Sequence, residues 1–161
     1  MNGFRHASRG VTLIEVLVAM VVLSIGLLGV CALIINSVRS NDSADMRAKA
    51  SILANAIIDN MRANSTAAVG GAYDGTVSST QAPSSGNAIA LADLTAWLGE
   101  LNAAGSSGLP SGSGTISHKT VTTFTQVTVT VNWDDTRGTM AFERCTTPPC
   151  VAALTVSALI P

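Results

Sequence analysis

The first 35 residues divide into two unlike pieces. Residues 1–10, MNGFRHASRG, are polar and carry Arg5 and Arg9. From Val11 to Ile35 the chain is apolar, interrupted only at Thr12, Glu15 and Ser24. The uncharged run Val16–Ile35 is 20 residues long and free of proline. As a helix it would reach about 30 Å, enough to cross a bilayer core. Positive charge before the run places residues 1–10 in the cytoplasm and the rest outside.

A second apolar pattern follows. Met46, Ala50, Leu53, Ile57 and Met61 recur at helical spacing, while Arg47, Lys49, Asn55, Asp59 and Arg62 mostly lie elsewhere on the wheel. No strong breaker separates this stripe from the membrane-length run. One continuous helix from about 12 to 63, roughly 75 Å long, is preferred. A helix restarting after Asn41 with Asp42 or Ser43 as its cap is the alternative.

Beyond residue 63 the composition shifts to Ser, Thr, Gly and Ala. Residues 64–90 contain several turn signals and read as a long loop with at most short structure. Leu91, Leu94, Leu98 and Leu101 predict a short helix, with Trp97 in or at the edge of the core. Residues 105–114, GSSGLPSGSG, form a break, after which the period becomes two. Val127, Val129 and Val131 alternate with Thr128, Thr130 and Asn132, the pattern of a half-buried strand. Phe124 stands on the opposite parity, which points to a bulge or a strand start near Thr125. Asp134 to Gly138 reads as a hairpin turn in preference to a calcium loop, and Thr139–Arg144 and Val151–Ile160 as further strands.

Charge now changes the picture. Only 12% of residues are charged, about half the usual share of a soluble domain, and the mean hydropathy is +0.41. Of the Asp, Glu, Lys and Arg residues, only Arg5, Arg9 and Glu15 precede Arg39. A net charge of −1 without a basic cluster excludes direct nucleic-acid binding as a design. No glycine-rich phosphate loop, HExxH or CxxC motif is present. His118 is the sole histidine beyond the leader and sits in a Ser/Thr-rich loop or strand start. A non-enzymatic protein without cofactor or metal is expected.

The chemistry of interest is therefore at the N-terminus. Gly10 marks the polar–apolar boundary, and Glu15 follows five residues later. A carboxylate in an apolar helix costs several kcal/mol unless paired, so it signals function. A cleaved secretory signal would have a shorter apolar run. A lipoprotein signal would need a small residue before Cys31, where Val30 stands. A plain anchor leaves Gly10 and Glu15 unexplained.

The segment RGVTLIEVLVAMVVLSIGLLGV resembles the signal of type IV prepilins through Gly10, Thr12, Leu13, Ile14 and Glu15. Its apolar continuation is similar to that of the PilV minor pilins. Val11 stands where that family usually has phenylalanine. The resemblance implies cleavage between Gly10 and Val11 by prepilin peptidase and N-methylation of Val11. It also implies pairing of Glu15 with a Val11 amine, its own or a neighbour's. Loss of Arg5 and Arg9 would change the net charge from −1 to −3.

The implied fold is α+β and pilin-like: a long N-terminal helix, transmembrane in its first half, on an antiparallel sheet. The expected organisation is a leader at 1–10, a transmembrane and assembly helix at 11–38, and its amphipathic continuation at 39–63. A periplasmic head would cover 64–161, with strands at about 119–160. The implied role is a minor pilin that primes or joins a type IV pilus, acting indirectly in motility, adhesion or DNA uptake. The alternative is an I-type minor pseudopilin of a type II secretion system. Implied partners are prepilin peptidase, minor and major pilins along the helix, and an inner-membrane assembly platform. The protein would move from the inner membrane into the pilus.

The cysteines fit an exported head. Cys145 and Cys150 lack two further ligands for structural zinc, so a disulfide is expected between them. Cys31 is expected to be a free, buried thiol.

Overall fold

A helix of 51 residues, α1 (Leu13–Ala63), dominates the computed structural model, which describes residues 11–104, 108–121, 124–136 and 150–161. The helix is unbroken at Asp42 and Ser43, so neither residue caps a second helix. Ser43 instead lies buried, and its hydroxyl donates to Asp135 Oδ2 at 2.8 Å.

Contacts divide the chain into two units, Met1–Val38 and Arg39–Pro161. In the first unit every described residue is exposed, so it has no core of its own. Cys31 is free as expected but exposed rather than buried, like every described residue of its unit.

The second unit is an α+β layer. Two helices and four strands build it with the end of α1: α2 (Ser65–Val69), β1 (Gly75–Val77), α3 (Ala88–Leu101), β2 (Ser113–Val121), β3 (Phe124–Asp134) and β4 (Val151–Ile160). The strands form one antiparallel sheet in the order β1-β2-β3-β4. Strand β3 alternates as its sequence demands. Val127, Val129, Val131 and Trp133 are buried, and Thr128, Thr130 and Asn132 lie on the other face. There Thr130 bonds Thr155 at 3.1 Å and Thr128 bonds Ser157 at 3.2 Å across the β3–β4 pair. Hydroxyl ladders of this kind keep the outer face polar without charge.

The inner face packs on the predicted stripe of α1. Ala50, Leu53, Ile57 and Met61 are buried and Met46 is partly so; Ala54 and Ile58 widen the stripe. Helix α3 adds Ala90, Leu94, Trp97 and Leu101.

Three expectations need correction. The sheet begins at Gly75, well before residue 119, because β1 lies inside the stretch read as loop. Strand β2 runs through SGTISHKTV, where few large apolar residues mark an inner face: Gly114 and Ile116 are its buried positions. Val121 belongs to β2, and β3 starts at Phe124. Helix α3 starts at Ala88, one turn early, because Asn87 caps it by accepting the Ile89 and Ala90 N–H groups at 3.0 Å each. Its buried face is rotated from the leucine stripe: Trp97 is 2% exposed, whereas Leu91 is 37% exposed. The strand expected at Thr139–Arg144 and residue Cys145 lie outside the described residues.

One contact explains both Trp97 and the sparse β2 face. A Cβ on Gly114 would stand 2.1 Å from the Trp97 ring, so only glycine admits the indole there. Trp97 Nε1 then donates to the Leu53 carbonyl at 3.0 Å, tying α3 to α1 over the sheet.

Candidate functional site: the N-terminal helix segment

Helix α1 offers apolar side chains on all sides near its start. Leu13, Ile14, Leu17, Leu23, Leu28 and Leu33 are all more than half exposed. A soluble protein rarely leaves so long an apolar surface uncovered. The helix is long and apolar enough near its N-terminus to cross a membrane. A helix suits that medium because it satisfies its own backbone groups.

The three polar interruptions behave differently. Ser24 Oγ donates to the Met20 carbonyl at 2.8 Å, one turn back, so its hydroxyl needs no outside partner. Thr12 precedes the first helical residue, Leu13, and caps it. Its Oγ1 accepts the Glu15 N–H at 3.3 Å, and its carbonyl accepts from Glu15 at 3.1 Å and Val16 at 3.3 Å. Glu15 is in the first turn, where the helix dipole favours negative charge. Among the described residues its carboxylate makes no hydrogen bond or ion pair.

The pattern Thr12-x-x-Glu15 is also that of a capping box, in which the glutamate would reach back to the Thr12 N–H. Only the threonine half is formed here. This local role for the pair was legible in the sequence as T-L-I-E and was overshadowed by the longer pattern around it. Val11 lies outside the helix and is 69% exposed; Gly10 is outside the described residues.

A family model for the prokaryotic N-terminal methylation motif matches residues 5–30. The N-terminus is prepilin-like. The matched span holds Arg9, Gly10, Val11 and Glu15, and it ends inside α1. Such a motif implies processing by prepilin peptidase and association with pilins in a pilus or secretion system. The prepilin-like segment and its apolar helix are consistent with membrane anchoring. No curated protein and no solved structure matches the chain.

The globular unit contains polar groups of another kind. Tyr73 donates to Asp93 Oδ2 at 2.5 Å and accepts from Asn64 Nδ2 at 3.2 Å. Burial, helped by the Asp93 acceptor and its charge, pushes the Tyr73 phenol up from 10.0 to about 12, against a smaller opposing effect of Asn64. His118, on β2, meets Asp74 Oδ2 through Nδ1 at 2.5 Å. Its ring covers Gly71, which takes φ +76° and has no room for a Cβ. These pairs tie the segment between α2 and β1 to α3 and to β2. Asp134 and Asp135 do not act together. Asp134 accepts the Thr136 N–H at 2.9 Å, whereas Asp135 points to Ser43. Among the described residues no group of three His, Cys, Asp or Glu side chains is placed to hold a metal ion.

Proposed function

We propose that the chain is a minor pilin of the PilV type, cut between Gly10 and Val11 and incorporated into, or priming, a type IV pilus. One observation carries the reading. Of three polar residues in the apolar segment, Thr12 and Ser24 bond within their own helix, and among the described residues Glu15 alone keeps a carboxylate without a partner. A charge at the centre of a spanning helix costs about 2.5–3.5 kcal/mol on insertion scales, an upper bound for Glu15 in the first turn. A cation supplied by another part of the assembly offsets that cost. Cleavage creates one at the right place, the free amine of Val11. Misregistered helices would leave both charges unpaired, so the pair fixes axial register.

On this reading residues 11–38 span the inner membrane, and the unit containing the sheet is periplasmic until assembly. Methylation falls on the Val11 amine and keeps its charge. The Cys145–Cys150 disulfide belongs to the same reading, as does the absence of enzymatic activity; Cys150 is 4% exposed at the foot of β4. The partners are prepilin peptidase, the other pilins and the membrane platform that assembles them.

Intact mass of the membrane-extracted protein tests cleavage. A chain beginning at Val11, unmodified or one methyl heavier, is expected where prepilin peptidase is active. A chain retaining Met1 there overturns the proposal. Fractionation separates the pilus from the secretion reading. Presence in sheared pili and loss of piliation on deletion support the minor pilin; loss of secretion with normal pili supports the pseudopilin.

A further inference from the structure

We propose that Thr12 is a positioning residue for leader removal, through the cap that ends α1 before the scissile bond; this rests on the prepilin reading above. The observation is the boundary itself. Helix α1 begins at Leu13, and Val11 and Thr12 stand outside it. The Thr12 hydroxyl holds the boundary by accepting the Glu15 N–H at 3.3 Å. Nothing else in the described chain contacts this end to hold it, since residues 11–42 are all exposed.

A protease acts on backbone that is locally open. A bond wound into a helix is shielded by its own turn and must unwind first. The apolar run leaves this risk close at hand, because residues 13–35 contain no proline and a nonpolar medium favours every internal hydrogen bond. Threonine at position 12 opposes extension twice. It is a poor interior helix residue and a good cap. Val11, which contributes the amide nitrogen of the scissile bond, thus stands outside the helix. Hydrolysis there adds water across the amide, leaving the Gly10 carboxylate and the Val11 amine. The same cap then leaves that amine on a non-helical residue, clear of the first turn that bears Glu15.

Three full-length variants test this in membranes containing prepilin peptidase, with the processed fraction followed by intact mass over time. Thr12→Ala removes the hydroxyl acceptor, leaves the main-chain carbonyl that also accepts the Glu15 N–H at 3.1 Å, and favours helix. A cap worth about 1 kcal/mol corresponds to a roughly fivefold slower cleavage. Thr12→Ser and Thr12→Asn keep a capping oxygen and should stay within about twofold of the native rate. The Glu15 amide, followed by hydrogen exchange in detergent micelles, should exchange faster in Thr12→Ala and at the native rate in Thr12→Asn. Native-rate cleavage of Thr12→Ala overturns the proposal. So does slowing of Thr12→Asn and Thr12→Ser to the Thr12→Ala rate, which would mean that the enzyme reads threonine itself. An uncut native chain, beside a control prepilin that is processed, overturns the prepilin reading first and this inference with it.

Discussion

Trp97 and Leu53 are joined by a 3.0 Å hydrogen bond from the indole Nε1 to a main-chain carbonyl, deep between α3 and α1. Trp133 is equally buried, at 2%, yet its Nε1 has no partner among the described residues. The two tryptophans are thus equally buried and differ in this polar contact. Removing a buried hydrogen bond costs about 1 kcal/mol, whereas an unmet buried donor itself costs about 1–3 kcal/mol. Trp97→Phe should accordingly destabilise the protein by about 2–4 kcal/mol more than Trp133→Phe. Chemical denaturation of both variants, followed by circular dichroism, gives the comparison. Equal losses would show that the Leu53 contact adds nothing beyond packing.

Gly114 is the counterpart of Trp97 on the sheet. An added methyl would meet the indole ring at 2.1 Å, inside any tolerable contact. The ring cannot retreat without losing its bond to Leu53. Gly114→Ala should cost about 1–3 kcal/mol, the usual range for overpacking. Thermal denaturation reads the loss. A double variant with Trp97→Phe should recover part of it, because the atoms an added Cβ would meet, Cη2, Cζ3 and Cζ2, belong to the outer indole ring that phenylalanine lacks.

These two positions also show what the sequence could and could not display. Strand β3 and helix α1 announce themselves because their buried residues are large and evenly spaced: Val127, Val129 and Val131 in one, Leu53, Ile57 and Met61 in the other. Strand β2 does not, because its inner face includes Gly114, whose lack of a side chain is what makes room for Trp97. Hydropathy reads side chains and is blind to a site defined by a missing one. The three residues of β1 are too few for any period, and their place is set by pairing with Gly114–Ile116. At the N-terminus the reverse holds. Gly10 and Glu15 drew attention through a recognisable pattern, but the capping role of Thr12 is a matter of which backbone donor its hydroxyl reaches.

Tyr73 gives the protein a distinct response to alkali. It is the chain's single tyrosine, so its titration can be read directly by absorbance. The folded phenol is held up at about 12 against 10.0 when exposed. The folded state thus keeps the proton more tightly. Its stabilising effect is complete below about pH 10 and is lost as the pH rises toward 12. Unfolding experiments across that window should show stability falling more steeply in the native protein than in Tyr73→Phe. Parallel slopes would remove the phenol as the cause.

Glu15 carries the functional reading, and two substitutions separate its two roles. Valine removes both the charge and the ability to complete a capping box with Thr12. Glutamine removes the charge alone, since its amide oxygen can still accept the Thr12 N–H. Both variants should insert in the membrane, because each makes the helix less polar or leaves it equally long. If the carboxylate serves to meet the Val11 amine, both should be poorly represented in sheared pili. An unpaired buried amine costs at least about 1.4 kcal/mol relative to the native pair, a tenfold loss of incorporation or more. Quantitative immunoblots of sheared and membrane fractions measure the ratio. Native-level incorporation of Glu15→Gln with failure of Glu15→Val would sink the charge-pairing account. It would assign Glu15 to the helix start, because glutamine can meet the demands of a cap and cannot neutralise a cation.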